Sequence, residues 1–429
     1  MRAVAAALWV LASCLRAEAG PQDLSADRLA LACRDLESND PKRIFAAVQV
    51  VAQMGGASLP AIEARAREAK GRVRDYLELA AEEIRSAPHL PGYPAVKRLS
   101  MKSTDKNVVE LLADLRARTG AALSLDNLLE EEKLPEIPFE VKDATMLEAF
   151  DAICHAGNVT VSMQNGQFML FTGNYVDLPR FFYGHYFLRL GDFEIVKTVT
   201  FRKPASQAFN LQMEMVWDPA AAPLRFKPVR VVEAVDDRGR SLVPIPVAPD
   251  PAAKKENSPP DTEESGPNTV LHLAAPSPAA TKVSLVRGFA TIVLPKSRAT
   301  VAFSFPKVDE VGAAGDFQFR IVAVEPDQHR IRLALTSKKV KPEALSAMDL
   351  LSQVTLKDWE ATSSGVDKPS WNEESLEIVV GYDPLRIKDG LARPPEGGPQ
   401  PPVDRLEISV VTAVQEKRIP FEFRDLKIK

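Results

Sequence analysis

The sequence has few cysteines and little net charge. Three cysteines occur among 429 residues, and none belongs to a C-x-x-C pair. Acidic and basic residues are interspersed and leave a formal charge of −4. Such a chain has no basic stripe for a phosphate backbone, so we predict no nucleic-acid partner. Hydrophobic content of 45% is typical of globular chains, and the length predicts roughly three domains of about 100–200 residues.

Catalytic motifs are also lacking. The sequence contains no G-x-S-x-G elbow, no H-E-x-x-H and no Walker loop. Five histidines lie far apart and never at i, i+4 on a helix: His89, His155, His185, His272 and His329. Asp236 and Asp237 are adjacent, but a predicted hairpin turn favours local hydrogen bonding over acid–base catalysis there. We therefore predict no catalytic residue, no cofactor and no metal site.

The N-terminus has the pattern of an export signal. Arg2 precedes the apolar stretch "AVAAALWVLA", which is shorter than the about 20 residues that a membrane-spanning helix needs. Ala17 and Ala19 fit the small-x-small rule for cleavage before Gly20. Alternatively, "LASC", ending at Cys14, resembles the lipobox of bacterial lipoproteins and would make Cys14 a lipidated first residue. No later apolar run is long enough to span a membrane, so we predict a soluble or lipid-anchored mature protein, in the periplasm or at the outer membrane.

Two cysteines remain in the mature chain, Cys33 and Cys154. They could pair in an oxidising compartment, but their spacing does not require it, and two buried free thiols are the favoured interpretation. Cys154 stands beside His155 near the end of a predicted helix. Side chains at i and i+1 do not face each other on a helix. We therefore interpret Cys154 as a core residue and His155 as a last-turn residue, not as a catalytic pair.

Residues 20–92 have helical patterning. "SADRLALACRDL" begins with Ser25 as a candidate cap, and "DPKRIFAAVQVVAQMGG" begins with Asp40 and Pro41. Residues 58–87 continue the helical pattern with alternating charges. The layout resembles one unit of a HEAT-like helical repeat. Stacked repeats need about three units. A short solenoid and a helical hairpin packed on its neighbour both remain open.

Residues 93–178 carry the clearest pattern, which predicts the order βαββαββ. In "NVVELLADLRART" the apolar residues recur at helical spacing, and Gly120 marks the end of that helix. Thr145 and Glu148 form a capping-box pair that begins the second helix, and Gly157 ends it. "NVTVSM" and "QFMLFT" are predicted to form a hairpin about the Asn-Gly at 165–166.

The first helix with Gly120, the "SLD" at 124–126 and "VKDATMLEAFDAI" at 141–153 together resemble the short N-terminal module of secretins and TonB-dependent receptors. The resemblance covers less than a fifth of the chain. It implies a non-enzymatic periplasmic module that makes protein–protein contacts. The β-rich segments that follow differ from a secretin pore or a receptor barrel, so a pore-forming role is not implied.

Residues 179–306 and 307–429 alternate with a period of two, as in "FNLQMEMVW" and "FQFRIVAVEPDQHRIRLAL". We predict two antiparallel β-sandwiches that resemble immunoglobulin-like domains, with a boundary near Pro306. The Pro-rich stretches 246–268 and 392–402 are predicted loops. The predicted fold class is thus multidomain α+β and mostly β: a helical segment, a small βαββαββ module, then two sandwiches.

These patterns predict an exported, non-enzymatic envelope protein that scaffolds or binds another envelope protein through exposed strand edges. One alternative is a glycan-binding module in which Trp359 and Trp371 stack on sugar rings. A second alternative is a periplasmic hydrolase whose site is assembled from sandwich loops, with Asp236, Asp237, His272 and His329 as the residues to test.

Overall fold

The computed structural model describes residues 21–38, 40–86, 94–121, 134–164, 167–173, 175–200, 203–243, 266–325, 330–337, 351–356, 370–371, 376–381, 386–388, 391–393 and 405–428. Helices dominate the N-terminal part of these ranges and strands dominate the rest. The fold is therefore mixed α+β and mostly β, which confirms the predicted class. In the described ranges no helix combines the length and the apolar character needed to cross a membrane.

The N-terminal layer consists of four helices: α1 (Pro21–Leu36), α2 (Pro41–Gln53), α3 (Leu59–Glu68) and α4 (Gly71–Ser86). The helical pattern over residues 58–87 corresponds to two helices, α3 and α4. The chain turns at Gly71, whose φ of 54° is left-handed. Glycine adopts this backbone without a steric penalty, and it interrupts a right-handed helix.

The small module follows in the predicted order. Its elements are β1 (Arg98–Ser103), α5 (Val108–Thr119), β2 (Phe139–Thr145), α6 (Met146–Ala156), β3 (Val159–Gln164) and β4 (Gln167–Thr172). Helix α5 ends at Gly120, whose φ is 74°. Helix α6 begins at the predicted capping box, since Thr145 Oγ1 accepts from Glu148 N and Glu148 Oε2 accepts from Thr145 N. The strand predicted at 121–126 falls almost wholly outside the described residues.

Two antiparallel sheets follow the module. The first sheet has the order β5 (Arg180–Tyr183), β6 (Tyr186–Thr200), β7 (Lys203–Trp217), β9 (Asn268–Ala274). The central sheet has the order β14 (Leu351–Leu356), β19 (Arg405–Lys427), β10 (Lys282–Ser304), β8 (Arg225–Asp236). Strands β10 and β19 pair along their whole length, from Lys282 opposite Lys427 to Ser304 opposite Arg405.

A third sheet has the order β11 (Val311–Ala314), β12 (Phe317–Glu325), β13 (Arg330–Ser337), β16 (Leu376–Gly381), β15 (Ser370–Trp371). Strands β17 (Arg386–Lys388) and β18 (Leu391–Arg393) form a separate pair. In the sequence, Phe305 continues the period-two alternation of Val301 and Phe303, which are buried. Phe305 is instead exposed, because β10 ends at Ser304 and Phe305 has a left-handed φ of 50°.

The long β10–β19 pair takes part in two hydrophobic cores. Residues 282–294 of β10 and 419–426 of β19 pack with the helices and the first sheet. Val301 and Phe303 of β10 pack with residues 406–410 of β19 and with the third sheet. The predicted boundary near Pro306 therefore does not follow the sheet pairing, because β19 crosses from the core of the second predicted sandwich into that of the first.

The helices pack on the central sheet through charged as well as apolar contacts. Arg287 of β10 donates to Asp75 of α4 at 2.7 Å, and Arg72 of α4 donates to Glu422 of β19 at 3.3 Å. The consecutive residues 286–290 of β10 are all buried. Because consecutive side chains point to opposite faces of a strand, both faces of the central sheet are covered here.

Candidate functional site

Most of the residues singled out in the sequence for processing or sugar binding cannot be placed. Cys14, Ala17, Ala19 and Gly20 lie outside the described residues, as does Trp359. Trp371 belongs to the two-residue strand β15 and pairs with Leu376 through the backbone. The lipid-anchor, cleavage and sugar-stacking predictions therefore stay predictions.

The cysteines and the adjacent histidine occupy structural positions. Cys33 and Cys154 are both free and buried, in different hydrophobic cores. Burial raises the pKa of the Cys154 thiol, which is the opposite of what a nucleophile needs. His155 is exposed and stacks on Tyr175, with 4.9 Å between the ring centroids. The two side chains therefore lack the arrangement of a catalytic pair.

Asp236 and Asp237 occupy the turn after β8. Asp236 accepts hydrogen bonds from the backbone N–H groups of Arg238, Arg240 and Ser277 at 2.8–2.9 Å. Burial acts to raise its pKa, but these hydrogen bonds outweigh burial and lower the pKa to about 2. Asp237 accepts from Thr281 Oγ1 at 2.7 Å. Carboxylates held in this way organise the turn and are poor proton carriers near neutral pH.

The two other histidines that the structure describes are also held by hydrogen bonds. His185 Nδ1 lies 3.1 Å from Asp218 Oδ2, and His185 Nε2 lies 2.8 Å from the Pro94 carbonyl oxygen. A backbone carbonyl thus occupies the position where a catalytic pair would place its nucleophile. His272 of β9 is exposed, and its Nδ1 lies 2.9 Å from Asn210 Oδ1. His329 and His89 lie outside the described residues.

A cavity of about 440 Å³ lies between the module and the first sheet. Its walls come from α6 and β3 of the module, from residues 175–180, and from β6, β7 and β9. The apolar part of the wall consists of Val161, Val176, Leu178, Met213 and Val270. The volume falls within the range of about 300–1,000 Å³ that ligand pockets have.

An ion pair holds the module against the first sheet at one end of this cavity. Arg180 Nη1 donates to both oxygens of Asp151, at 2.6 and 2.5 Å, and to the hydroxyl of Tyr175. Arg180 Nη2 donates to Asp177 at 2.6 Å, and Arg180 Nε donates to the carbonyl of Leu178 at 3.0 Å. Burial raises the pKa of Asp151, and the positive charge of Arg180 only partly offsets this effect.

A second ion pair lies on the sheet side of the cavity. Arg189 Nε of β6 donates to Glu214 Oε2 of β7 at 2.6 Å, and Arg189 Nη2 reaches the Val161 carbonyl of the module at 3.4 Å. Phe187 and Val216 of the first sheet are buried in the hydrophobic core of the module. The module and the sheet therefore share both apolar and charged contacts around the cavity.

A β-bulge in β6 forms part of the cavity wall. Leu190 pairs with Met213 and Phe193 pairs with Leu211, so Gly191 and Asp192 together face Gln212. Gly191 lines the cavity, and a Cβ atom there would lie 3.4 Å from the Gln212 side chain. We therefore expect a long side chain at this position to reduce the free volume of the cavity. Bulges occur frequently beside binding sites because they redirect the strand locally.

Strand β9 is an edge of the first sheet and also lines the cavity. Three consecutive residues, 268–270, contribute to the wall. Since alternate side chains point to opposite faces of a sheet, consecutive lining residues mean that the backbone edge itself borders the cavity.

The register of β9 shows which backbone groups are available. Met215 N donates to the Pro267 carbonyl at 2.8 Å, and the ladder pairs Gln212 with Val270. Hydrogen-bonded and non-hydrogen-bonded pairs alternate in an antiparallel ladder. The pairs of Val270 and of His272 are therefore non-hydrogen-bonded, and their N–H and C=O groups point away from β7. They have no hydrogen-bond partner within the ranges described above.

The end of β9 supports the outward direction of the Val270 and His272 backbone groups. Ala274 lies four residues after Val270, so its N–H should point to the same side of β9. It does point away from β7, because it donates to the Leu242 carbonyl at 2.6 Å. The side chain of Val270 is 43% exposed, and Val176 at the cavity rim is 62% exposed. An open backbone edge and an apolar cavity thus lie side by side.

Sequence reasoning missed this site. Asp151 lies within the segment "VKDATMLEAFDAI", whereas Arg180 and Tyr175 belong to no motif, and only the fold brings the three side chains together. Among the described residues no three His, Cys, Asp or Glu side chains are grouped closely enough to hold a metal ion. No protein-family model matches the chain, and neither a curated protein nor a solved structure matches it.

Proposed function

We propose that the protein is an exported, non-enzymatic component of a bacterial envelope that scaffolds or binds another envelope protein. The observation that carries this proposal is the open edge of β9, where the outward backbone groups of Val270 and His272 border an apolar cavity. Exposed strand edges bind other chains by adding a strand, and main-chain hydrogen bonds supply much of the affinity.

The rigid arrangement around this edge supports the same function. The module and the first sheet share a hydrophobic core and the Arg180–Asp151 ion pair. The first sheet, the central sheet and the helices share a second core, and the Arg287–Asp75 ion pair joins the central sheet to α4. A binding surface on such a scaffold keeps its shape, which reduces the entropy lost on binding. The module's resemblance to secretin and TonB-receptor modules agrees with a role in protein–protein contacts.

The N-terminal pattern supports export of the protein. The short apolar stretch after Arg2, with Ala17 and Ala19 before Gly20, is that of a cleaved leader, and Cys14 offers the alternative of a lipid anchor. Mass spectrometry of the mature protein distinguishes the two. A first residue of Gly20 supports simple cleavage, and a diacylated Cys14 supports the anchor.

The test of the binding role is a co-purification. The tagged full-length protein is expressed at its native level, cross-linked gently in intact cells, and analysed by quantitative mass spectrometry. The control is an unrelated tagged protein that carries the same leader. We expect one or a few envelope proteins to be enriched at least tenfold over the control. Absence of any enriched envelope protein contradicts the proposal, as does robust turnover of a common envelope substrate by the purified protein.

A further inference from the structure

We propose that β9 accepts an extended peptide of the partner protein as an added fifth strand of the first sheet, and that one large aliphatic side chain of this peptide enters the cavity beside β9. This inference rests on the proposed function, because it specifies the chemistry of the partner that the scaffold binds.

The sequence of β9 fits strand addition. Natural edge strands that avoid pairing usually carry lysine or proline, or are covered by another element. The stretch "NTVLHLA" at 268–274 contains neither residue. Val270 and His272 each present one outward N–H and one outward C=O, two residues apart. This spacing matches the donor and acceptor spacing of an incoming strand.

The cavity lining specifies the side chain that enters. Every guanidinium nitrogen of Arg180 already donates a hydrogen bond to a neighbouring oxygen, and Arg189 is paired with Glu214. A charged side chain would therefore need to displace an existing ion pair. The remaining wall is mainly aliphatic. Burial of a Leu, Ile or Met side chain there is favourable because it removes the apolar surface of both the side chain and the cavity wall from water.

Gly191, in the bulge of β6, lines the cavity. If glycine were replaced by a larger residue, the new side chain would occupy the space that the proposal assigns to the peptide. Ala at this position adds only a Cβ in ordinary contact with Gln212. Gly191→Leu and Gly191→Ala therefore form a matched pair that changes the cavity and leaves the β9 edge unaltered.

A second pair of variants changes the edge. Val270→Pro removes one outward N–H, and the β7–β9 ladder does not use this group. Proline is tolerated on an edge strand when its nitrogen faces away from the sheet. Val270→Thr changes the side chain but keeps the N–H and the β-branched shape, so the difference between the two variants measures the effect of the N–H. Thermal unfolding of each variant shows whether the fold is retained.

The experiment is a selection from a phage-displayed library of random 12-residue peptides on the full mature protein. Enriched peptides are synthesised, and their binding is measured by fluorescence anisotropy. We expect peptides that share one large aliphatic residue and lose binding at least tenfold on Val270→Pro and on Gly191→Leu. Val270→Thr should weaken binding at least threefold less than Val270→Pro, and Gly191→Ala at least threefold less than Gly191→Leu. Replacing the shared aliphatic residue with Asp should abolish binding.

Four results overturn the proposal. The first is that no peptide is enriched on the wild-type protein over Val270→Pro. The second concerns two modified peptides, one N-methylated at the odd-numbered amides and the other at the even-numbered amides. An added strand needs one of these two sets, so undiminished binding of both peptides overturns the proposal. The third is a selection that yields peptides only after residues 246–264 are replaced by a short Gly-Ser linker. That result would mean that this segment of the same chain occupies the β9 edge. The fourth is a wild-type dimer that Val270→Pro dissociates, which assigns the edge to a second copy.

The co-purification separates this inference from the proposed function. If the cross-linked envelope partner is retained by Val270→Pro, the scaffold role stands and the β9 edge is not its contact. If the wild-type protein enriches no partner, the proposed function fails, whatever the peptides show.

Discussion

Arg287 provides the sharpest test of how the helices are fixed to the central sheet. Its side chain is 4% exposed and donates to Asp75 of α4 and to Glu233 of β8. Arg287→Met keeps the aliphatic stem and removes the charge. The substitution leaves the carboxylates of Asp75 and Glu233 without this cation. A third carboxylate, the fully buried Glu422, lies opposite position 287 in the β10–β19 ladder.

The expected cost follows from the exposure of the partners. Removing one member of a fully buried ion pair destabilises a protein by about 3–5 kcal/mol. The side chains of Asp75 and Glu233 are 25% and 44% exposed, so water recovers part of their solvation. We therefore expect Arg287→Met to lower the free energy of unfolding by about 2–3 kcal/mol.

The measurement is urea-induced unfolding followed by fluorescence of Trp217, with Trp359 and Trp371 replaced by Phe. Trp217 packs on Phe226 next to the same core, so its signal reports on the relevant packing. The control is Arg418→Met, which breaks a partly exposed pair with Glu82 and should cost less than about 1 kcal/mol.

An Arg287→Met protein as stable as the wild type would refute the reasoning. It would mean that the ion pairs only offset the cost of removing their charges from water. The apolar residues between α4 and the central sheet would then account for the packing of the helices.

Three further predictions concern single side chains. Folding lowers the pKa of the Asp236 carboxyl group from 3.8 to about 2. The ionised carboxylate therefore stabilises the folded protein above about pH 4, and this contribution is lost as the pH falls to about 2. Asp236→Asn should remove this part of the acid-induced loss of stability. Gly288→Ala should destabilise the protein by about 1–3 kcal/mol or more, since a Cβ there would lie 2.2 Å from the Arg230 carbonyl oxygen. Tyr76→Phe should change the free energy of unfolding by less than about 0.5 kcal/mol, because the buried hydroxyl has no partner in the described ranges.

Each of these predictions has a matched control. For Asp236 the measurement is the melting temperature between pH 5 and pH 2, and the exposed Asp192→Asn should keep the wild-type profile. For Gly288 the control is Gly56→Ala, where a Cβ meets no atom within 4 Å. For Tyr76 it is Tyr186→Phe, which removes a hydrogen bond to the Ala221 carbonyl at 2.8 Å and should cost about 1 kcal/mol. If Tyr76→Phe lowered the free energy of unfolding as much as Tyr186→Phe, the buried Tyr76 hydroxyl would have to make a stabilising contact, and the prediction would be wrong.

The sequence predicted best where local chemistry decides the structure. The Thr145–Glu148 capping box, the end of α5 at Gly120 and the buried position of Cys154 each depend on residues within a few positions of one another. The turn at Asp236 was predictable for the same reason. These features need no knowledge of the rest of the fold.

Prediction failed where distant elements decide. Period-two alternation disappears in β10 between residues 286 and 290, because both faces of the strand are covered there, and the sequence does not show that coverage. The contact between Arg180 and Asp151 joins two elements with no shared motif. The edge of β9 also depends on its register with β7, which a single sequence does not specify.

The full-length pairing of β10 with β19 has a consequence for how the chain folds during synthesis. The paired residues lie more than 100 positions apart, and such long-range contacts form slowly because a large loop must close first. Neither of the two cores that share these strands can be completed until residues 405–427 have left the ribosome. Until then the apolar side chains of β10 that pack with β19 stay uncovered on the nascent chain, so we expect the chain to depend on chaperones during this interval.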